Sequence, residues 1–120
     1  MSELNTFGAV MTYAIEMETR IHNYYQAMGN AELAREADKR REKLERVRRE
    51  NVTEIKLEPI DGLHEADYLL NLADSSLSGQ RAVAAIAAQF YADTAPKMNV
   101  REAQRMLERL GKQHTEFAQG

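Results

Sequence analysis

Three ionisable residues, Glu18, Arg40 and His114, occupy positions where a helical repeat places apolar side chains. Each lies in a run of residues spaced three or four apart, which keeps the run on one face of a helix. A carboxylate and an imidazole can ligate a metal ion or move a proton, whereas a guanidinium can balance a carboxylate by charge. Because an unpaired charge is costly to bury, we expect these side chains to pair with each other or to bind a metal ion.

The three runs define apolar seams on the first, second and last of four predicted helices. They consist of Phe7, Met11, Ala14, Glu18, Ile21, Tyr25 and Met28; of Leu33, Ala37, Arg40, Leu44 and Val47; and of Val100, Ala103, Leu107, Leu110, His114 and Phe117. We predict the helices over residues 3–28, 31–50, 78–95 and 100–117. Gly29-Asn30 breaks the chain between the first two helices, and Asn99 is the expected cap of the last.

The connections between these helices predict the topology. Helices one and two, and helices three and four, are joined by short turns, so each pair forms an antiparallel hairpin. Residues 51–78 form a long acidic connection, which contains a short helix over residues 63–72 with Asp61 as its cap. The expected fold is all-α, a single four-helix-bundle domain over residues 1–120 in which a long crossover joins two antiparallel helical hairpins.

The composition excludes several classes of function. The 120 residues are 43% hydrophobic and 29% charged, with a net charge of −3, which is typical of a soluble globular domain. The absence of cysteine excludes disulfides, thiolate metal sites and cysteine catalysis. We find neither a signal peptide nor an apolar stretch long enough to span a membrane, and we therefore expect a cytoplasmic protein.

Two segments, AIEMETRIHNYYQAM and LSGQRAVAAIAAQFYADTA, are each followed by a charged amphipathic helix, and the two halves align as an internal repeat. These segments resemble the rubrerythrin type of the ferritin-like superfamily. That family carries a glutamate seven residues before a Phe/Tyr-Tyr pair on helices one and three and a Glu-x-x-His pair on helices two and four, which together hold two iron or manganese ions. The resemblance implies a ferritin-like four-helix bundle.

The metal-binding pattern is degenerate in this chain. Glu18, seven residues before Tyr25, matches the first glutamate of the family, but Ala84 stands at the second. The two Glu-x-x-His pairs are replaced by Leu44-x-x-Val47 and by His114-x-x-Phe117. The resemblance therefore implies that the di-metal centre is lost and that the apolar side chains at these four positions fill its place.

Two states of the remaining polar residues stay open. In the first, Glu18, Arg40 and His114 form a cluster without cofactor, in which the guanidinium balances the carboxylate. Arg40 could instead extend out to solvent, as long basic side chains often do. In the second state, Glu18 and His114 ligate iron or manganese as an altered metal site. A different register of helix two would add Glu42 and Glu45, with no histidine beside them.

The first functional interpretation is a structural or protein–protein interaction role without enzymatic activity. We expect a homodimer that associates through Val10, Met17 and Tyr24 on helix one. Basic helix two would dock onto an acidic surface of an unknown protein partner, such as residues 50–74 of another subunit. The alternative is a rubrerythrin-type metal-dependent oxidoreductase or peroxidase with an altered site built on Glu18 and His114.

A second alternative is nucleic-acid binding through basic helix two. Acidic residues interleave with the basic ones, and three ion pairs are predicted at i,i+4 spacing, Glu42–Arg46, Glu45–Arg49 and Arg46–Glu50. No aromatic residue lies between these charges to stack on bases. Both observations argue against nucleic acid as the partner.

The remaining aromatic and small residues have structural interpretations. The tyrosines are expected in the core with hydroxyls that reach a hydrogen-bond partner; they are Tyr13, Tyr24, Tyr25, Tyr68 and Tyr91. His22 and His64 lie apart from any residue at ligand spacing, and we expect both to be exposed. Gly111, inside the last helix, predicts either a close approach of a neighbouring backbone or a local weakness of that helix.

Overall fold

A computed structural model of the chain describes residues 4–51, 60 and 62–120. These residues form four α-helices, α1 (Phe7–Ala27), α2 (Ala31–Glu50), α3 (Leu77–Thr94) and α4 (Arg101–Gln119), and two short 3-10 helices, Glu65–Tyr68 and Ala95–Lys97. No strand occurs among them. The prediction of an all-α protein with four main helices is therefore confirmed.

The helices pack as two hairpins, α1 against α2 and α3 against α4. The turn between α1 and α2 depends on Gly29, whose φ of 81° lies in the left-handed region that favours glycine. Asn30 then caps α2 by accepting a hydrogen bond from the Leu33 backbone N–H. The predicted break at Gly29-Asn30 is thus confirmed. None of the helices in the described part of the chain is long and apolar enough to cross a membrane.

Two predicted helix starts are wrong. The first helix begins at Phe7 rather than at residue 3, because the Thr6 hydroxyl accepts a hydrogen bond from the Ala9 N–H and so caps the helix there. Asn99 does not cap α4, since Val100 occupies the N-cap position and makes no side-chain capping bond. The proposed Asp61 cap lies outside the described residues.

The short helix predicted over residues 63–72 is also wrong, since only Glu65–Tyr68 is helical and its geometry is 3-10. Helices this short are marginal without tertiary support. The turn ends at Leu69, whose backbone is extended (φ −71°, ψ 130°), and the Tyr68 carbonyl accepts a hydrogen bond from the Tyr13 hydroxyl at 3.0 Å, which holds the end of the turn against α1.

Tyrosine hydroxyls fasten the crossover to the helices. Besides the bond from Tyr13, the Tyr24 hydroxyl donates to the Asp74 carbonyl at 2.6 Å. The Tyr68 hydroxyl donates to Asp93 Oδ2 at 2.7 Å and links the crossover to α3. The expectation that buried tyrosines reach a partner through their hydroxyls is confirmed for these three residues.

The dimer face predicted on helix one is wrong. Val10, Met17 and Tyr24 are all buried within the single chain and belong to its hydrophobic core. The Tyr24 contact with Asp74 shows how the crossover covers this side of α1. The homodimer itself stays a prediction, and it requires a different surface.

Candidate functional site

One polar side chain from each main helix converges at the centre of the bundle. Glu18 comes from α1, Arg40 from α2, Tyr91 from α3 and His114 from α4. Arg40 Nε donates to Glu18 Oε1 at 2.8 Å, while the Tyr91 hydroxyl donates to Oε2 at 2.6 Å. His114 Nε2 lies 2.9 Å from the same Oε2. We call these four residues the Glu18 cluster.

The Glu18 cluster is enclosed by the protein. Glu18 is 0% exposed, His114 is 4% exposed and Arg40 is 6% exposed. The prediction that the three charged seam residues point inward is confirmed, and the alternative in which Arg40 extends to solvent is wrong. Arg40 stays inside because its guanidinium finds a carboxylate there, which compensates the cost of removing its charge from water.

The partners of Glu18 keep its carboxylate ionised. Burial would raise the pKa of Glu18, but the charge and hydrogen bond of His114, the charge of Arg40 and the Tyr91 hydroxyl together lower it to about 2. Burial, together with the charge and hydrogen bond of Glu18, raises the pKa of Tyr91 well above its usual value. Near neutral pH an ionised carboxylate thus accepts from a protonated phenol.

The charge of Glu18 also fixes the proton position on His114. An ionised carboxylate only accepts hydrogen bonds, so the ring nitrogen that faces it, Nε2, must carry a hydrogen. The other ring nitrogen, Nδ1, is therefore the atom at which a neutral His114 would accept a hydrogen bond.

Close packing of α3 against α4 sets the position of the imidazole. A Cβ atom added at Gly111 would lie 3.0 Å from Tyr91 Cβ, which confirms the predicted close approach. One turn later on α4, the His114 ring stacks on the Tyr91 ring, with centroids 5.8 Å apart and an interplanar angle of 13°. Gly111 thus allows the approach of the helices that brings His114 onto Tyr91 and Glu18.

Sequence reasoning placed three of the four cluster residues at the site but missed Tyr91, which it treated only as a core aromatic. The available signal was the repeat, in which Tyr91 falls seven residues after Ala84 on the helix facing α1. Tyr25, the equivalent residue of α1, is buried, yet its hydroxyl makes no hydrogen bond within the described residues. The two tyrosines therefore differ in role despite their equivalent positions.

The donor set does not fit a pair of metal ions. Leu44, Val47 and Ala84 are buried apolar residues, as predicted for the positions that would otherwise carry ligands. Phe117 is only partly buried, so its predicted place in the filled interior is wrong. Across residues 4–51, 60 and 62–120, no three His, Asp or Glu side chains converge on a common point. A cation at Glu18 would also meet the positive charge of Arg40 at the same carboxylate.

The alternative register of helix two finds no support. Glu42 is exposed, and Glu45 pairs with Arg41 at 2.9 Å on the outer side of α2. Neither carboxylate faces Glu18, so the interpretation that adds them as metal ligands is wrong.

The basic surface differs in detail from the predicted pattern. Arg41 pairs with Asp38 at 2.8 Å as well as with Glu45, and Arg46 lies 3.9 Å from Glu50. Only the last of the three predicted i,i+4 pairs is present among the described side chains, and Glu45 pairs with Arg41 instead of Arg49. Three arginines of α4 lie four residues apart and line a groove together with Arg46 of α2; they are Arg101, Arg105 and Arg109.

The two outlying histidines behave differently. His64 is exposed, as predicted. His22 is partly buried, since its Nδ1 lies 2.8 Å from the Ala34 carbonyl on α2. The prediction of an exposed His22 is wrong because the imidazole bridges the two helices of the first hairpin.

No protein-family model, curated protein or solved structure matches this chain. The resemblance to the ferritin-like superfamily consequently rests on the sequence segments alone. The four helices and the Glu18 cluster describe the site without assigning it to a family.

Proposed function

We propose that this chain is a ferritin-like bundle without an intact di-metal centre and serves as a structural or protein-interaction subunit. In this proposal the ion pair between Glu18 and Arg40 replaces metal ions as the charge balance at the bundle centre. The observation that carries the proposal is the 2.8 Å contact of Arg40 Nε with Glu18 Oε1 inside the core. A site with its own cation already bound has little to gain from an added one.

Metal analysis of protein purified without chelators tests the proposal. We expect far less than one iron or manganese ion per chain, and no change in melting temperature when either ion is added. A near-stoichiometric metal content, with a melting temperature that rises on addition of metal, would contradict the proposal. It would favour the alternative, a rubrerythrin-type oxidoreductase or peroxidase that uses Glu18 and His114.

The surface offers two features for association with a protein. Leu69 is 52% exposed and Leu77 is 55% exposed, at either end of the segment that leads into α3. The arginine groove of α2 and α4 is complementary in charge to exposed acidic residues of the crossover, such as Asp67 and Asp74. Both features support an association between copies of this chain or with another acidic protein.

Light scattering coupled to size-exclusion chromatography tests the association. We expect a homodimer at low ionic strength that dissociates as salt is added, because salt screens exposed charges. A monomer under all conditions would contradict the dimer. A dimer that is insensitive to salt would indicate that the exposed leucines, rather than the charged groove, form the interface.

One observation favours nucleic-acid binding as a second candidate function. In the described part of the chain, no ion pair joins Arg101, Arg105 or Arg109 to a carboxylate. Unpaired arginines along a groove are suited to contact phosphates. We therefore expect, if this candidate is correct, a salt-dependent gel shift that Arg105→Glu abolishes. Arg35→Glu makes the same charge change outside the groove and should retain the shift.

A further inference from the structure

A pocket of about 350 Å³ lies beside the Glu18 cluster. Its floor consists of the buried residues Ile21, Tyr25, Arg40, Val83, Ala84 and His114. The charged residues Glu36, Lys39, Lys43 and Glu116 are among those that line its more open part. Its size is typical of small-molecule sites, and its lining combines apolar side chains with charged and polar ones.

The guanidinium of Arg40 faces this pocket with unused donors. Its Nε is committed to Glu18, and its Nη1 lies 3.4 Å from Gln113 Oε1, which is longer than a usual hydrogen bond. Its Nη2 donates to no described residue, and it is not among the polar atoms sealed inside the protein. A side chain that is only 8% exposed therefore presents the outer edge of its guanidinium to the pocket. That edge has the geometry to hold a carboxylate through two parallel hydrogen bonds.

Two further polar atoms line the same pocket. His114 directs Nε2 to Glu18, whereas its Nδ1 has no hydrogen-bond partner in residues 4–51, 60 and 62–120 and is not sealed from solvent. The Tyr25 hydroxyl likewise has no hydrogen-bond partner among the described residues and is not sealed from solvent. Three helices thus contribute to the pocket lining a residue with a polar atom that has no partner among the described residues and is accessible to a ligand.

We propose that this pocket binds a small monocarboxylate with an apolar body. The carboxylate would bind the outer edge of Arg40, and the apolar part would contact Ile21 and Val83. Three basic and two acidic side chains line the pocket, Arg40, Lys39 and Lys43 against Glu36 and Glu116, which is an excess of one positive charge. Because Glu18 offsets that excess by pairing with Arg40, the carboxylate would be recognised by the free edge of the guanidinium rather than by a net charge of the pocket.

Ala84 leaves the space that the ligand would occupy. It is buried at the floor of the pocket, and a longer side chain there would extend into that space. Its neighbour Ala85 is exposed on the same helix and does not line the pocket. The two alanines provide a matched pair of variants, neither of which replaces a residue of the Glu18 cluster.

Isothermal titration calorimetry with sodium benzoate and sodium hexanoate tests the proposal, with benzamide as the neutral comparison for benzoate. We expect one carboxylate bound per chain, at least about tenfold more tightly than the amide. Ala84→Met should abolish binding while the circular dichroism spectrum stays that of the wild type, and Ala85→Met should bind normally. If neither carboxylate binds, or if Ala84→Met binds as the wild type does, the proposal is wrong.

Two further arms test the chemistry of recognition. Arg40→Lys keeps a charge beside Glu18 but removes the planar edge, and we expect it to weaken benzoate binding about tenfold. Arg41→Lys, on the adjacent residue and outside the pocket, should leave binding unchanged. Phenyl phosphate that binds more tightly than benzoate would overturn the assignment to carboxylates and indicate a phosphate ester instead.

Discussion

Replacing Glu18 by glutamine removes one charge from the core and almost no volume. Arg40 would keep its positive charge at 6% exposure but lose its counterion. In the wild type, Oε1 accepts from Arg40 and Oε2 accepts from Tyr91 and His114. The NH₂ group of a glutamine would occupy one of these two positions, and there it would face a donor instead of an acceptor. Breaking a buried ion pair by removing one partner costs about 3–5 kcal/mol.

The lowered pKa of Glu18 gives a similar value for the free energy that its charge contributes to folding. The folded-state pKa of about 2 lies below the ordinary glutamate value of 4.5 that applies to the unfolded chain. The unfolded chain thus binds the proton more strongly, and at neutral pH the shift contributes about 3 kcal/mol to folding. We therefore expect Glu18→Gln to lower the free energy of unfolding by about 3–5 kcal/mol, a large part of the total for a domain of this size.

Urea unfolding followed by circular dichroism at pH 7 measures the effect. Glu16→Gln makes the same chemical change at an exposed position of α1, and it should stay within about 0.5 kcal/mol of the wild type. A Glu18→Gln variant that unfolds within about 1 kcal/mol of the wild type would refute the reasoning, since an ionised and paired Glu18 could not be replaced so cheaply.

Three other predictions follow from the same geometry. Tyr91→Phe should cost about 1.5–3 kcal/mol in urea unfolding, because it removes a hydrogen bond to a charged group, whereas Tyr25→Phe should cost far less; equal losses would contradict the assigned roles. The stability contributed by Glu18 should be complete above about pH 5 and decline as the pH falls toward 2, so the gap between wild type and Glu18→Gln should close over that range; a constant gap would contradict the lowered pKa. Replacing glycine by alanine within a helix is expected to raise the free energy of unfolding by up to about 1 kcal/mol, but Gly111→Ala should not, because the added Cβ would lie too close to Tyr91 Cβ. Gly8→Ala, where the added Cβ meets open space, is the control. Equal melting temperatures of the two variants would contradict the close approach at Gly111.

The helices could be predicted from the sequence because turn residues and the spacing of apolar residues act within a short stretch of chain. Gly29 and Asn30 specify the turn of the first hairpin, and the spacing of the apolar seams places Glu18, Arg40 and His114 inside the bundle. A charged residue on a buried face must find a partner, so the meeting of Glu18 with Arg40 was within reach of sequence reasoning.

The features that sequence reasoning missed depend on contacts between distant segments. The Tyr13 hydroxyl donates to the carbonyl of Tyr68, and this bond holds the 3-10 turn of the crossover against α1. The crossover also covers part of α1, which is why Tyr24 cannot serve as a dimer surface. The pocket beside Arg40 forms where four helices meet, and no periodicity in one segment encodes it.

The coupling free energy between Glu18 and Arg40 tests the central claim most directly. A double-mutant cycle of Glu18→Gln, Arg40→Met and their combination, measured by urea unfolding at pH 7 after removal of metals, isolates this pairwise term. We expect a favourable coupling of about 2–3 kcal/mol between the two side chains. A coupling below about 0.5 kcal/mol would mean that Arg40 does not balance Glu18, and the description of the bundle centre would be wrong.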